Sequence, residues 1–157
     1  LEFRRVLFRS FIEARLLAMI FAMLAIGEAL DHTGTVKFIV DGVSPFLQGL
    51  PPIITLVCVY FLGLALTEVL SNNAVAVILT PIAIALAQQL GYDPRAFCVA
   101  VMFSASVAFA TPIGYQTHMM VYGPGGYKFG DFVRVGVPLD IVTGLAACLA
   151  IPIFFPL

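Results

Sequence analysis

Charge is what this chain has least of. Eight basic and nine acidic residues in 157 are 11% of the sequence, against roughly a quarter in a soluble domain. Mean hydropathy is +1.05. Together these exclude an ordinary water-soluble domain and put the chain in the membrane class. A net charge of −1 leaves no basic footprint for nucleic acid. Cysteine is scarce too: Cys58, Cys98 and Cys148 lie far apart, each in an apolar segment. They have no metal-ligand spacing and read as small hydrophobes. No set of nucleophile, histidine and carboxylate is visible, nor a metal cluster, so the chain does not read as an enzyme. Only His118 and Glu68 remain as a pair that could meet in space.

The segment 1–10, Leu-Glu-Phe-Arg-Arg-Val-Leu-Phe-Arg-Ser, carries three of the basic residues and no initiator Met. It lacks the charged start, long apolar middle and small-residue cleavage site of a signal peptide. It reads as non-native sequence joined to a truncated chain, and native sequence is expected upstream.

Residues 11–30 are long enough for a first span, and Asp31-His32-Thr33-Gly34 stops it. Residues 35–47, with Lys37, Asp41, Ser44 and Pro45 among apolar groups, suit an interfacial helix. Pro51-Pro52 opens a long apolar run that ends at Gly91-Tyr92-Asp93-Pro94. This 53–90 run reads either as a re-entrant helical hairpin or as two short spans joined by a surface turn. Residues 95–122 form a helix that grows small and polar through Ser104, Ala105, Ser106 and Ala108. It breaks at Thr111-Pro112-Ile113-Gly114-Tyr115-Gln116-Thr117-His118. An interfacial segment at 127–134 and a last span at 135–157 complete the chain.

The polar stretch Thr67-Glu68-Val69-Leu70-Ser71-Asn72-Asn73 lies in the middle of the 53–90 run. As one helix the run would measure roughly 50 Å, well beyond the roughly 30 Å hydrocarbon core. Its carboxylate, hydroxyls and amides are costly in lipid unless they face protein, water or ligand. A helix break there and a second one at 111–118 are the best sequence pointer to a transporter binding site. Freed carbonyls suit a small cation, and the half-helix starting near Asn73 offers N–H groups to an anion.

Plainer readings stand beside these. Glu68 can pair with a neighbouring segment, and Asn72 and Asn73 can cap a turn. His118 reads as a packing histidine before a metal ligand. Thr80 and Thr143 read as bonding back to their own helix. Asp140 reads as interfacial and falls outside the site.

Thr67-Glu68-x-x-Ser71-Asn72-Asn73-Ala74, then Ala110-Thr111-Pro112-Ile113-Gly114-Tyr115-Gln116-Thr117 and Arg134-Val135-Gly136, resembles the second half of the divalent anion:sodium symporter family. That family lies within the ion transporter superfamily of citrate and arsenite carriers. The resemblance runs from about Phe11 to the end. It implies an all-α polytopic membrane protein made of two inverted repeats, each with a re-entrant hairpin and a broken helix, assembled as a homodimer with an elevator-like movement. It implies that Ser71, Asn72, Asn73, Tyr115, Thr117 and His118 contact the anion. It implies a sodium site framed by Thr67, Leu70, Asn72, Gly114 and Gln116, largely through carbonyls.

This chain departs from the pattern in three places. Asn73 replaces the signature threonine, and His118 stands where Asn is usual. Tyr115-Gln116 replaces the Thr-Pro pair of dicarboxylate carriers. Sulfate is therefore as good a candidate as a dicarboxylate.

The expectation is the C-terminal repeat of a sodium-coupled permease for a small divalent anion. It would sit in a bacterial-type plasma membrane, with Na+ as coupling ion, no cofactor, and a first repeat that this chain lacks. A proton- or metalloid-linked exporter of the same superfamily, a channel module and a non-transporting scaffold are the other readings.

Overall fold

A computed structural model describes residues 14–157. The stretch 1–10 that reads as non-native lies outside the described residues, as does the start of the expected 11–30 span. The described residues form seven helices and no strand. These are α1 (Ala14–His32), α2 (Thr35–Leu47), α3 (Pro52–Thr67), α4 (Asn72–Leu90), α5 (Pro94–Ser106), α6 (Gln116–Tyr122) and α7 (Phe129–Phe154).

Local chemistry accounts for most of the ends. Proline occupies the first turn of α3 and of α5, where its missing N–H costs nothing. The Ser71 hydroxyl accepts the Ala74 N–H at 3.3 Å and caps α4, and Asp93 accepts the Arg95 N–H at 2.9 Å and caps α5. Gly91, at φ 79°, ends α4 in the left-handed conformation that glycine adopts without a steric penalty. The Tyr92 N–H then reaches back to the Ala87 carbonyl at 2.8 Å, closing the turn as a Schellman motif.

Helix α5 sits at the centre. Both α3 and α4 pack on it, α7 covers α3 and α5, and α1 and α2 lie against α4. Close approach depends on small residues: Ala96, Ala100, Ser104 and Ala105 of α5 are buried and Gly63 of α3 abuts Ser104. Tyr60, Leu56 and Phe97 fill the space between them. The outer face of α7 is different, with Val135, Val142, Leu149 and Ile153 all exposed.

Helices α4 and α7 are long and apolar enough to cross a membrane. Their 19 and 26 residues correspond to about 28 and 39 Å. Helix α3, with 16 residues, reaches only about 24 Å.

Two boundaries and the burial of one residue differ from the sequence expectation. The helix expected to run to Ala110 ends at Ser106, so the unwound segment is 107–115 and His118 lies inside α6. The reason is tertiary: acceptors from other elements take the N–H groups of Phe109 and Ala110, and nothing local announces them. The expected interfacial segment 127–134 and final span 135–157 form the single helix α7 from Phe129. Asp131 accepts the Lys128 N–H at 2.8 Å and starts that helix early. Asp140, expected at the interface, is buried against other helices at 4% exposure.

Gly136 of α7 lies against the backbone of the unwound segment, where an added Cβ would collide with the Phe109 carbonyl. Gly136→Ala is expected to lower the melting temperature of the purified protein, at a cost of about 1–3 kcal/mol. Gly130→Ala meets nothing within 4 Å and should stay within about 0.5 kcal/mol of the parent.

Candidate functional site

Thr67 ends α3 fully buried. Its hydroxyl oxygen lies 3.0 Å from the Ala105 carbonyl and 3.0 Å from Asn72 Oδ1. One hydroxyl proton cannot serve two acceptors. Both contacts are satisfied when the Asn72 amide is turned, so that its NH2 donates to Thr67 while Thr67 donates to Ala105. Either way, Thr67 ties the end of α3 to the start of α4 and to the last turn of α5.

The next residues stitch this first break to the second. The Thr111 hydroxyl donates to the Glu68 carbonyl at 2.8 Å and accepts the Gly114 N–H at 3.1 Å. The Glu68 carboxylate accepts the Ala110 N–H at 3.0 Å. Gly114 is buried, and a Cβ there would stand 3.0 Å from the Ala108 side chain and 3.4 Å from the Thr67 carbonyl. The two interruptions are therefore one assembly, bonded across more than forty residues of sequence.

Above this joint opens a cleft of about 540 Å³, lined by Leu70, Ser71, Asn72, Asn73, Tyr115 and Thr117 among others. Of the residues expected at the site, the structure brings those six and Gly114 to one cleft. Thr67 lies buried beneath them. The Gln116 side chain lies outside what is described, although its backbone begins α6.

His118 does not line this cleft. It faces a second hollow with Phe109, Tyr127, Asp131 and Phe132. One ring nitrogen, Nδ1, is 3.2 Å from the Thr111 carbonyl, and its ring packs between Tyr115 and Phe132. That is the packing role, and among the described residues no hydrogen bond joins His118 to Glu68. Thr80 and Thr143 bond back to Ala76 and Leu139 at 2.6 and 2.8 Å, as expected of hydroxyls inside apolar helices.

The residue that sequence reasoning missed is Asp140. Its carboxylate accepts the Phe109 N–H at 3.3 Å, one residue before the amide that Glu68 holds. The available signal was a carboxylate inside an apolar helix, a position that is functional by default in a membrane chain.

The cleft combines a capped helix N-terminus, amide and hydroxyl side chains, and unwound backbone. These are groups that bind small ions by dipoles rather than by fixed charge. The family described as CitMHS, citrate transporter, matches residues 7–156. The chain belongs to that family.

Its relatives place it in the wider ion transporter superfamily that includes the divalent anion:sodium symporters. An uncharacterized transporter of Synechocystis sp., sll0640, is 41% identical over 133 residues, which are 85% of this chain and 22% of that protein. Sodium/sulfate cotransporter 2 of Chlamydomonas reinhardtii is 33% identical over 132 residues, 81% of this chain and 15% of that protein. Solute carrier family 13 member 2 of Rattus norvegicus is 31% identical over 127 residues, 81% of this chain and 22% of that protein. This chain therefore spans about a fifth of the length of the relatives it matches. The family is one of integral membrane transporters, not of enzymes.

If Thr111 is the stitch between the breaks, Thr111→Val removes both of its bonds and leaves Gly114 N–H without an acceptor. A loss of about 1–3 kcal/mol is expected in thermal unfolding. Thr80→Val, which gives up only a bond to its own helix, should change stability by less than about 0.5 kcal/mol.

Proposed function

We propose that this chain is the C-terminal repeat of a secondary active transporter, and that it supplies one wall of a site for sodium-coupled uptake of a small divalent anion. The observation that carries the proposal is the joining of the two breaks beneath the Ser71–Asn73 cleft. In this reading 53–90 is a re-entrant hairpin with its tip at 68–71. The short reach of α3 supports that, since about 24 Å falls below the roughly 30 Å hydrocarbon core.

The anion sits at the start of α4, where Ser71 already caps the helix and the positive dipole end favours negative charge. Asn72, Asn73, Tyr115 and Thr117 give it hydrogen-bond donors. His118 serves from behind by holding the Thr111 carbonyl. The sodium ion takes backbone carbonyls around Thr67, Leu70, Asn72, Gly114 and Gln116.

Asn72 belongs to both sites and bonds Thr67. A cation that orders this turn therefore orders the anion donors, and the coupling is reciprocal. The opposite wall comes from a first repeat, and the whole transporter works as a homodimer in a bacterial-type plasma membrane. The departures at Asn73, Tyr115 and Gln116 leave sulfate as good a candidate as a dicarboxylate, and the names of the relatives, with sodium and sulfate among them, support sulfate as the first anion to test.

Proteoliposomes carrying the full-length transporter test this directly. Labelled sulfate should accumulate only with an inward sodium gradient, and Asn72→Ala should weaken the apparent affinity for sodium and sulfate together. Each loss should be about tenfold or more, matching the 1.5–3 kcal/mol of a hydrogen bond to a charged group. Sulfate flux indifferent to sodium would favour a channel, and an Asn72→Ala protein with both affinities intact would remove the site.

A further inference from the structure

Phe109 is a residue at which α5 gives up its ladder. Had the helix continued, the Phe109 N–H would donate to the Ala105 carbonyl, four residues back. Instead α5 ends at Ser106, and Val107 turns to extended backbone at φ −102° and ψ 108°. Each half of the lost bond finds a new partner. The Phe109 N–H donates to Asp140 Oδ1 of α7 at 3.3 Å. The Ala105 carbonyl accepts the Thr67 hydroxyl of α3 at 3.0 Å.

Ala105, Thr67 and Asp140 are all buried. Neither half of the bond can turn to water, and an unmet donor or acceptor there is costly. Gly136, one turn before Asp140, lets α7 come against the Phe109 carbonyl. One face of α7 therefore addresses both backbone polar groups of residue 109.

We propose that Asp140 is a positioning residue, which by holding the Phe109 N–H keeps the Ala105 carbonyl for Thr67. Thr67 meets the Asn72 amide at 3.0 Å, and Asn72 lines the cleft, which Asp140 does not. Without an acceptor at position 140, the Phe109 N–H returns to Ala105 and α5 begins to rewind. A carbonyl can accept two donors, but a divided one holds Thr67 less firmly, and the Asn72 amide shifts with it. That this shift changes ion affinity rests on the transport reading above; the exchange of hydrogen-bond partners does not.

The test is a double-mutant cycle on the full-length transporter, read by denaturant unfolding in detergent. Asp140→Leu strands the Phe109 N–H, and Thr67→Val strands the Ala105 carbonyl. Each should lower the folded-to-unfolded ratio about tenfold. In the double variant the two stranded groups are free to pair as a helical bond, so its loss should be well below the product of the single losses. Asp140→Asn keeps an acceptor oxygen and should unfold no more readily than the parent.

Transport supplies the second readout. In proteoliposomes Asp140→Leu should raise the half-saturating concentrations of sodium and sulfate several-fold, and Asp140→Asn should leave both near the parent. A residue that only holds the fold together would lower the maximal rate and leave half-saturation unchanged.

The proposal is overturned if the single losses multiply in the double variant, if Asp140→Asn is as damaging as Asp140→Leu, or if a transporting Asp140→Leu protein keeps the parent's half-saturation. Should Asp140→Leu fail to fold alone, its rescue by Thr67→Val supports the exchange, and failure of the double variant overturns it. Unfolding needs no transport. The expected cycle without sodium-driven sulfate uptake by the parent would sink the transport reading alone, and uptake with multiplying losses would sink the exchange alone.

Discussion

The structure depends on finding partners for backbone that has left its helix. Between Ser106 and Gln116 the chain is unwound among apolar helices, where an unpaired N–H or carbonyl is costly. Thr111 meets the Glu68 carbonyl, Glu68 meets Ala110, and Asp140 meets Phe109. These bonds replace the regular ladder that α5 gives up. The partners come from two distant parts of the chain, Glu68 after α3 and Asp140 of α7, so the unwound segment exists only as long as α3, α5 and α7 are packed around it.

That requirement organises the packing. Small residues on α5 let α3 approach closely, with Gly63 against Ser104. Gly136 lets α7 touch the unwound backbone itself. Bulk is placed one layer away, in Tyr60 and Phe97, where it fixes the helices without entering the joint. The outer face of α7 carries only apolar side chains at Val135, Val142 and Leu149, which is consistent with lipid on that side.

The same joint gives the cleft its chemistry. Ser71 and Asn72 stand at the start of α4 and are tied through Thr67 to the carbonyl end of α5. Tyr115 and Thr117 reach the opposite side from the start of α6. Under the proposed reading, a surface made of helix ends and amides would hold ions without permanent charge of its own. A site that must release what it binds benefits from that moderation.

Much was legible before any coordinates. Hydropathy and sparse charge put the chain in a membrane, and Pro52, Gly91 and Pro94 marked helix ends by their own backbone chemistry. Thr67–Asn73 and Thr111–His118 stood out because polar groups interrupt apolar runs. Local physics determines such features, so a local reading finds them. What only the tertiary structure decided was who bonds to whom. The break starts at Val107 rather than Thr111 because Glu68 and Asp140 capture amides 109 and 110. His118 turns away from the cleft because the Thr111 carbonyl takes its ring nitrogen. Asp140 looked interfacial because sequence does not display the buried amide it serves. A hydrogen bond between residues 31 or 42 positions apart leaves no periodicity to read. It is fixed only when packed helices bring the partners together.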